Sequence, residues 1–506
     1  MTIIFRADAS PQIGTGHVMR CAALATAAID KGRHVRFVGC IESDELLSRL
    51  KDMGIEVTPL ERSHPDPSDI ETTLRLLDGN AEGNISSSQP GWLVVDGYHF
   101  DTDYHQTVRN AGYKLLVVDD YNHLGRYDCD VLLNQNIGAD SLDYRTSTDT
   151  RFLLGPRFTL LRPEFLVWRN KKPEVSEKGI RILVTMGGAD PENTTSKILE
   201  GLALIGDPAL DVKVVVGPAN PHLAEIERVM ALVPFQGEVL YSVRDMASIM
   251  SWADVAVTSA SVTSLELAYM GVPMAAVVLV ENQKGLAVGL IDRGAAVDLG
   301  SSKDLTPQKI SQAISGLLVD PRGRQAMSDA GQTMVDGQGA DRIMAVLGQG
   351  LFFLREVEPR DSRRLWEWAN DPIARSHSFN TDPIPWEEHQ TWFNERLNDQ
   401  KTCIYMAELP NGEPVGTIRF EARTDHAVVS VTVSGDFRGL GFGEEVIRRG
   451  CLKYRGSHPG LPIRALIKPD NPASKHAFAK AGFVPNGETD NAGARAMAMI
   501  YQADER

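Results

Sequence analysis

The segment that runs from Arg6 to Arg20, RADASPQIGTGHVMR, combines a glycine-bearing turn with a histidine and charged side chains. Gly14 and Gly16 allow backbone N–H groups to approach a phosphate or a sugar, and the start of the helix that follows adds a positive field for an anion. The segment is not a dinucleotide-binding fingerprint, because the third glycine of GxGxxG would fall at Met19. It therefore predicts an anion or sugar site without specifying the ligand.

His17 is the candidate general base in this segment. A histidine in the first turn of a helix feels the positive end of the helix dipole, which favours the neutral ring that can accept a proton. The alternative is a surface histidine that happens to follow a turn. The neighbouring Arg6, Asp8 and Arg20 favour a functional role.

Two further segments carry candidates for nucleotide binding. MGGADPENTT, which contains Gly187 and Gly188, predicts a strand, a glycine turn and a helix start. In TSASVTSLE, small hydroxyl residues such as Ser261 lie at a predicted helix start that suits a diphosphate. Glu266, one to two turns further on, can bind ribose hydroxyls. The alternative is a solvated helix with a serine cap.

A second kind of site is predicted in VTVSGDFRGLGFGEE, which begins at Val431. Here a strand leads into Arg438, Gly439, Gly441 and Gly443 and then into a helix. Such a turn leaves several N–H groups pointing at a pyrophosphate, with the helix N-terminus behind them. A generic glycine-rich loop is the less favoured alternative, because a strand precedes the turn and a further motif follows it.

The elements that position these residues alternate between short apolar runs and amphipathic stretches, which is typical of parallel sheets with crossover helices. Strands are predicted at Ile3–Phe5, His34–Val38, Trp92–Asp96, Leu115–Asp119, Ile182–Val184, Val212–Val216, Val239–Leu240, Val255–Val257 and Ala275–Val280. A charged, proline-bearing stretch from Arg162 to Lys178 is predicted to be a linker. Beyond about residue 350 the pattern changes, with helices first and antiparallel strands later. The predicted domains are therefore 1–165, 175–345 and 352–506.

Composition excludes several classes of function. The 506 residues include 52 Lys and Arg against 67 Asp and Glu, so a formal charge of −15 disfavours nucleic acid and anionic membranes as partners. The five cysteines are dispersed without a CxxC or a Cys/His cluster, so no metal site is expected. The longest apolar run is too short to span a bilayer, and the N-terminus lacks a secretory pattern. We expect a cytoplasmic protein.

The three N-terminal motifs together resemble the UDP-2,4-diacetamido-2,4,6-trideoxy-β-L-altropyranose hydrolases of pseudaminic acid biosynthesis, over residues 1 to about 345. The resemblance implies a GT-B-like pair of Rossmann-type domains in which His17 activates the attacking water. Ser261 and Glu266 would hold UDP, while Tyr98 and Asn282 would line the sugar site. The predicted substrate-binding residues are Arg6, Asp8, Gly14, Gly16, Arg20, Tyr98, Gly187, Gly188, Ser261, Glu266, Asn282 and Gln283.

The C-terminal region, from Phe352 to Ala503, resembles the GNAT-type N-acetyltransferases, an α+β fold. The resemblance implies acetyl-CoA as cosubstrate, with its pyrophosphate on the glycine turn and its pantetheine arm along a strand. The predicted cofactor-binding residues are Val431, Val433, Arg438, Gly439, Gly441, Gly443, Asn471 and Ser474. Phe478 stands where this family often has a tyrosine that protonates the leaving thiolate. Glu421 or His377 is the candidate base.

The two resemblances together predict a bifunctional enzyme. The C-terminal domain would acetylate a UDP-4-amino-4,6-dideoxy sugar, and the N-terminal region would hydrolyse the diacetamido product. Two alternatives remain: a GT-B glycosyltransferase with an appended acetyltransferase, acting in surface polysaccharide synthesis, and a sugar-nucleotide-binding protein without catalysis.

Overall fold

The computed structural model describes residues 2–10, 12–78, 91–147, 150–168, 175–188, 190–348, 352–409, 412–491 and 493–502. The chain divides into two compact units, Met1–Ile343 and Met344–Arg506. Within the described residues, no helix combines the length and apolarity needed to cross a membrane.

The first unit begins with a seven-stranded sheet. Strands such as Trp92–Asp96 are buried along their whole length, so both faces of this sheet are covered by other elements. Its order is β3-β2-β1-β4-β5-β6-β7 and every pair is parallel. The strands are β1 (Thr2–Arg6), β2 (His34–Gly39), β3 (Glu56–Pro59), β4 (Trp92–Asp96), β5 (Lys114–Val118), β6 (Val131–Asn134) and β7 (Arg151–Leu154). The helices are α1 (Gly16–Asp30), α2 (Asp44–Asp52), α3 (Pro67–Leu77), α4 (Thr102–Asn110) and α5 (Pro163–Leu166).

A second parallel sheet completes this unit, in the order β10-β9-β8-β11-β12-β13. Its strands are β8 (Arg181–Thr185), β9 (Asp211–Val216), β10 (Gln236–Tyr241), β11 (Val255–Ser259), β12 (Met274–Val278) and β13 (Ala296–Ser301). Its helices are α6 (Thr194–Ala203), α7 (Leu223–Met230), α8 (Met246–Trp252), α9 (Val262–Met270), α10 (Lys284–Asp292), α11 (Pro307–Val319), α12 (Pro321–Met334) and α13 (Gly339–Leu347). All nine strands predicted in the two halves are present, but β5 ends at Val118 and β12 at Val278, short of the predicted ends at Asp119 and Val280.

The predicted linker from Arg162 to Lys178 is in part wrong. Its start forms α5, and Phe165 is fully buried in a cluster that includes Leu265 and Leu290 of the second sheet's helices. The prediction failed because charged residues and proline, which are typical of a linker, dominate the stretch, whereas a single aromatic side chain, Phe165, packs into the core. Residues 169–174 of the predicted linker lie outside the described residues.

The second unit contains a mixed seven-stranded sheet in the order β14-β15-β16-β17-β18-β20-β19. Among the described residues of this sheet, β17 and β18 are the one pair that runs parallel. The strands are β14 (Phe353–Glu356), β15 (Thr402–Glu408), β16 (Pro414–Ala422), β17 (Ala427–Val433), β18 (Ile463–Ile467), β19 (Phe483–Asn491) and β20 (Ala494–Tyr501). The helices are α14 (Ser362–Ala369), α15 (Pro372–Ser376), α16 (Trp386–Leu397), α17 (Phe442–Ser457) and α18 (Pro472–Lys480).

Helix α4 carries a histidine, His105, in the core of the first sheet. Its side chain is fully buried beside Tyr127, and neither ring nitrogen bonds to a protein atom of the described residues. Burial, with a further contribution from His123, lowers the pKa of His105 to about 4. The folded state therefore holds this ring neutral at pH 5, where the unfolded chain protonates it.

We predict that His105→Leu reduces the loss of stability on acidification. Because the folded pKa lies below the unfolded value, the wild type loses stability as the pH falls from about 6.5 towards 4. The histidine's share of that loss is about 2 kcal/mol between pH 7 and pH 5. Equilibrium denaturation of both proteins at the two pH values measures it, with the exposed His34→Leu as control. An identical pH dependence in wild type and His105→Leu would contradict the prediction.

Candidate functional site

His17 lies where the sequence predicts it, in the first turn of α1. Its Nδ1 is 2.6 Å from Oδ1 of Asp96, the last residue of β4. An ionised carboxylate only accepts hydrogen bonds, so Nδ1 carries the proton and Nε2 is left as the acceptor. The pair has the base-and-orienter arrangement that general base catalysis requires.

The strand order explains why these two residues meet. β1 and β4 are neighbours, and the direction of winding reverses between them. In open parallel sheets, such a reversal opens a crevice at the carboxyl ends of the strands, where ligands bind. The turn that carries His17 follows β1, and Asp96 ends β4, so both lie at the crevice.

A buried arginine fixes the carboxylate. Arg20 donates Nη2–H to Oδ1 of Asp96 at 2.7 Å and Nη1–H to Oδ1 of Asp120 at 2.7 Å. Burial alone would raise the pKa of Asp96, but Arg20 and His17 hold it below its ordinary value. Asp96 is therefore ionised at neutral pH and orients the His17 ring.

Two tyrosines form an exposed aromatic surface beside the base. The Tyr98 hydroxyl donates to Oδ2 of Asp120 at 2.5 Å, and the Tyr98 ring meets His17 edge-on with centroids 4.8 Å apart. Tyr121 lies 5.0 Å from Tyr98, and the two residues are 40% and 38% exposed, respectively. Exposed rings at a crevice are suited to the apolar face of a sugar. The hydroxyl of Tyr98 is fixed by Asp120, and its ring remains accessible.

Arg6 and Asp8 form a buried network rather than an open cation site. Arg6 is fully buried and donates its Nε–H to Asp69 at 2.9 Å and an Nη2–H to Asp8 at 3.0 Å. Asp8 also binds His99 at 2.8 Å. Burial alone would raise the pKa of Asp8, but His99 and Arg6 lower it to about 2. Arg6, like Arg20, is thus occupied by carboxylates, and the network holds the residues just before the glycine turn.

The second sheet repeats the crevice geometry between β8 and β11, where its own winding reverses. Gly187 follows β8 with φ +82°, and a Cβ on it would lie 3.6 Å from Oγ of Ser259. Ser261 is the N-cap residue of α9, and its side chain makes no capping hydrogen bond. The structure therefore brings Gly187 and Ser261 to one edge of the sheet, beside first-turn amides of α9 that this side chain does not cap.

The remaining predicted residues of this unit have different surroundings. Gly14 has φ +79°, which only glycine adopts without strain, and Gly16 begins α1. Asn282 is exposed in a short helical turn after β12. Gln283 accepts the N–H of Leu279 through its Oε1 at 2.9 Å. Glu266 is buried and paired with an arginine, Arg162, that the sequence analysis does not single out.

Gly217, just after β9, supports the glycine turn. A Cβ at this position would lie 2.5 Å from the carbonyl oxygen of Gly188 and 2.6 Å from its Cα. We predict that Gly217→Ala displaces the turn and weakens, by roughly tenfold or more, the binding of the UDP that the family resemblance implies. Titration calorimetry with UDP measures this. Gly316→Ala in α11, where the added methyl meets open space, is the control, and equal affinity in both variants would contradict the prediction.

In the second unit, strands β17 and β18 separate along their length. β17 pairs with β16 from Ala427 to Val433, but it pairs with β18 only over Ala427–Val429. Val431 and Val433 therefore lie where the two parallel strands have parted. Such a split accepts an extended amide chain, because it exposes backbone groups that a continuous sheet would use.

The glycine turn follows at the open end of this split. Gly439 and Gly441 both have positive φ, and α17 begins at Phe442, directly after the turn. Arg438 donates Nε–H to the carbonyl of Val433 at 3.0 Å and Nη1–H to Asp371 at 2.6 Å. Arg438 therefore ties the turn to the end of β17, and the N-terminus of α17 remains as the anion-binding element.

Helix α18 carries the other predicted cofactor residues. Asn471 caps this helix by accepting the N–H of Ser474 at 3.0 Å. Phe478 is buried against Phe483, with ring centroids 4.9 Å apart in an edge-to-face arrangement. This position therefore offers no hydroxyl to a leaving thiolate.

The two candidate bases lie in different places. Glu421 pairs with Val428 across β16 and β17 and is 3.2 Å from Nε of Arg419. His377 is exposed after α15, between Ser376 and Ser378, whose carbonyl oxygens accept hydrogen bonds from Lys468. Across the described ranges, no group of three or more His, Cys, Asp and Glu side chains is arranged to hold a metal ion.

Sequence reasoning missed Asp96, Asp120 and Arg162. A signal existed for the two acids, because the apolar runs predicted as β4 and β5 are each followed by aspartate at the edge where ligands bind. Arg162 carried no such signal, since it lay in a stretch that composition assigned to a linker.

Comparison with known proteins agrees with this geometry. Residues 181–343 match the model of the glycosyltransferase family 28 C-terminal domain, and residues 352–484 match that of the acetyltransferase (GNAT) domain. The chain is 25% identical over 301 residues to the UDP-2,4-diacetamido-2,4,6-trideoxy-beta-L-altropyranose hydrolase of Campylobacter jejuni, which spans 59% of this chain and 99% of that protein. It is 23% identical over 453 residues to an uncharacterised protein of Methanocaldococcus jannaschii, covering 86% of this chain and 87% of the other.

Among solved structures, MurG of Acinetobacter baumannii has the same fold as the first unit. The match has a TM-score of 0.50 at 16% identity and covers 69% of this chain and 99% of MurG. The predicted fold class is thus confirmed: two Rossmann-like parallel sheets of GT-B type precede a mixed sheet of GNAT type. The chain combines a glycosyltransferase-like unit, homologous to a UDP-sugar hydrolase, with an acetyltransferase domain.

Proposed function

We propose that the chain catalyses two consecutive steps on a UDP-amino sugar in pseudaminic, or nonulosonic, acid biosynthesis. The C-terminal unit transfers an acetyl group from acetyl-CoA to the 4-amino group of a UDP-4-amino-4,6-dideoxy sugar. The N-terminal unit then hydrolyses the resulting UDP-2,4-diacetamido-2,4,6-trideoxy-β-L-altropyranose. The observation that carries the proposal is the His17–Asp96 pair at the crevice of the first sheet.

Hydrolysis requires one proton acceptor and a good leaving group. Nε2 of His17 takes a proton from water, the water oxygen forms a bond to the anomeric carbon, and the bond from that carbon to the diphosphate oxygen breaks. UDP leaves with the electron pair. Asp96 stabilises the imidazolium ring that forms, and Arg20 keeps Asp96 ionised.

The second sheet supplies the nucleotide site in this proposal. Ser261, the first-turn amides of α9 and the turn at Gly187 and Gly188 bind the diphosphate, and Glu266 binds the ribose. Tyr98 and Asn282 line the sugar site. Because Arg6 and Arg20 are held by carboxylates, backbone dipoles balance most of the diphosphate charge.

Acetyl transfer takes place where β17 and β18 part. The pantetheine arm lies along Val431 and Val433, the pyrophosphate lies at the start of α17, and Asn471 and Ser474 are close to the CoA. The neutral amine attacks the thioester carbonyl, the C–N bond forms, the C–S bond breaks, and CoA leaves as thiolate. Since Phe478 has no hydroxyl, water protonates the thiolate in this proposal, and Glu421 or His377 accepts the amine proton.

A glycosyltransferase activity is the second candidate, favoured by the family 28 match and by the MurG-like fold. In that case the sugar passes to an acceptor hydroxyl rather than to water. The two candidates share the nucleotide site and differ only in the acceptor.

Incubation of the full chain with the UDP-4-amino sugar, with and without acetyl-CoA, followed by mass spectrometry, tests the proposal. We expect free diacetamido sugar and UDP only when acetyl-CoA is present. If the acetylated sugar still carries UDP, the acetyltransferase activity is supported, and the glycosyltransferase candidate is favoured for the first unit. Absence of any acetylated sugar would refute the coupled function.

A further inference from the structure

A buried ion pair joins Arg162, which follows the strands of the first sheet, to Glu266 in α9, the helix after β11 of the second sheet. Arg162, which precedes α5, donates Nε–H to Oε1 of Glu266 at 2.9 Å and Nη2–H to Oε2 at 3.2 Å. The Arg162 side chain is 14% exposed and the Glu266 side chain is 7% exposed. Two parallel hydrogen bonds from one guanidinium fix the plane of the carboxylate as well as its position.

The charges around this carboxylate come from three elements. Glu164 in α5 is 3.1 Å from Nη1 of Arg162, and Arg49 in α2 is 2.7 Å from Glu164. Asp245, the N-cap of α8, is a further negative charge that acts on Arg162. Burial raises the pKa of Glu266, while Arg162 and, more weakly, Arg49 oppose that rise and Glu164 adds to it. Arg162 is thus the main charge that favours the ionised form.

The position of Glu266 along α9 matches a nucleoside diphosphate. α9 rises about 1.5 Å per residue, so Glu266 lies about 7–8 Å along the helix from Ser261 at its N-cap. A diphosphate at the N-terminus of α9 would place its ribose near this carboxylate. Each carboxylate oxygen accepts one N–H from Arg162 and retains capacity for one more hydrogen bond.

We propose that Arg162 is the positioning residue for ribose recognition. It donates one hydrogen bond to each oxygen of the Glu266 carboxylate, and the remaining lone pair of each oxygen accepts the 2′- or the 3′-hydroxyl of a ribonucleotide. The inference deepens the proposed function and rests on its nucleotide site. Its consequence is discrimination against 2′-deoxynucleotides, because a carboxylate of fixed orientation makes two directed bonds to a ribose and only one to a 2′-deoxyribose. A freely rotating carboxylate makes both bonds poorly, so it gains less from the second hydroxyl.

Calorimetric titration of the full chain with UDP and with 2′-deoxy-UDP tests this role. We expect the wild type to prefer UDP, and Arg162→Met to bind UDP roughly ten- to thirtyfold more weakly while its affinity for 2′-deoxy-UDP changes little. Arg162→Lys keeps the positive charge but cannot donate two parallel hydrogen bonds, so it should retain part of the preference for UDP over 2′-deoxy-UDP. Arg244→Met, which removes an exposed arginine 3.4 Å from Glu45, is the matched control and should behave as wild type.

A pH series separates positioning from packing. Without Arg162 the pKa of Glu266 rises further, so UDP binding to Arg162→Met should weaken more steeply than wild-type binding as the pH falls from 8 to 6. The Arg162→Gln/Glu266→Gln double variant, which buries no charge, should fold, bind UDP without preference over 2′-deoxy-UDP, and show no such pH dependence.

The outcomes are distinguishable from failure of the proposed function. If the wild type does not bind UDP, the proposed nucleotide site is refuted, and this inference with it. If the wild type prefers UDP and both Arg162→Met and the double variant keep the same preference, the positioning role is overturned and Arg162 is a structural ion pair only.

Discussion

Replacing His17 with alanine is expected to slow UDP release from the acetylated UDP-sugar by roughly 10²–10⁴-fold, while acetyl transfer from acetyl-CoA continues at the wild-type rate. The structural reason is the single acceptor nitrogen that the Asp96 hydrogen bond leaves at Nε2. Without that nitrogen, water must attack the anomeric carbon while it still holds its proton. The proposed nucleotide site on the second sheet does not include His17, so we expect substrate binding to persist.

The measurement is a time course of UDP and CoA release by the same protein sample, supplied first with the UDP-4-amino sugar and then with the purified acetylated product. His34→Ala, which removes an exposed histidine at the start of β2, is the matched control and should keep both rates. Wild-type UDP release by a folded His17→Ala protein would exclude His17 as the base and favour a role in binding alone.

The strands that the sequence predicts well are those that are apolar along their length. β4 and β11 are buried at every residue, and each begins with a short run of apolar side chains, which is typical of a strand inside a parallel sheet. β3 and β7 are short and partly exposed, so their composition does not distinguish them from loops. The sequence therefore identifies most of the central strands and misses β3, β7 and β13 at sheet edges. It predicts β10, although that strand lies at an edge, and it misses the buried β6, which has only four residues.

In the candidate site, too, the sequence predicts some features and not others. Local spacing places His17 in the first turn of a helix and Ser261 at the start of another, and the structure confirms both positions. The hydrogen bond from His17 to Asp96 depends on β1 lying next to β4, and strand order is a property of the whole sheet. Sequence reasoning therefore nominates His17 as the candidate base and cannot identify the residue that orients its ring.

Residue type also failed to predict which charges face a ligand. The sequence analysis places Arg6 and Arg20 among the substrate-binding residues, because charged side chains beside a glycine turn favour a functional role. In the structure each is buried and bound to two aspartates: Arg6 to Asp8 and the distant Asp69, and Arg20 to Asp96 and Asp120, both distant in the chain. The carboxylates Asp69, Asp96 and Asp120 decide the outcome, and only the fold brings them close.

The second large effect is expected for Gly443→Asp, which should raise the KM for acetyl-CoA by roughly 10²–10³-fold or abolish acetyl transfer. Gly443 is the second residue of α17, and a Cβ on it would lie 3.7 Å from Val433 and 3.8 Å from Ala477, which is ordinary contact. An added Cβ therefore fits. A carboxylate about 4 Å from a bound pyrophosphate costs on the order of 4 kcal/mol at an effective dielectric constant of 20.

This substitution separates folding from cosubstrate binding, because a negative charge in the first turn of a helix interacts favourably with the helix dipole. The melting temperature of Gly443→Asp should thus equal or exceed that of the wild type while acetyl-CoA binding is lost. Gly443→Ala, which adds the same Cβ without charge, is the control and should keep its KM within a few-fold. Hydrolysis of the purified acetylated UDP-sugar should be unchanged in both variants. If Gly443→Asp binds acetyl-CoA as the wild type does, the pyrophosphate does not lie at the start of α17, and the assignment of Arg438 to Gly443 as its binding turn is wrong.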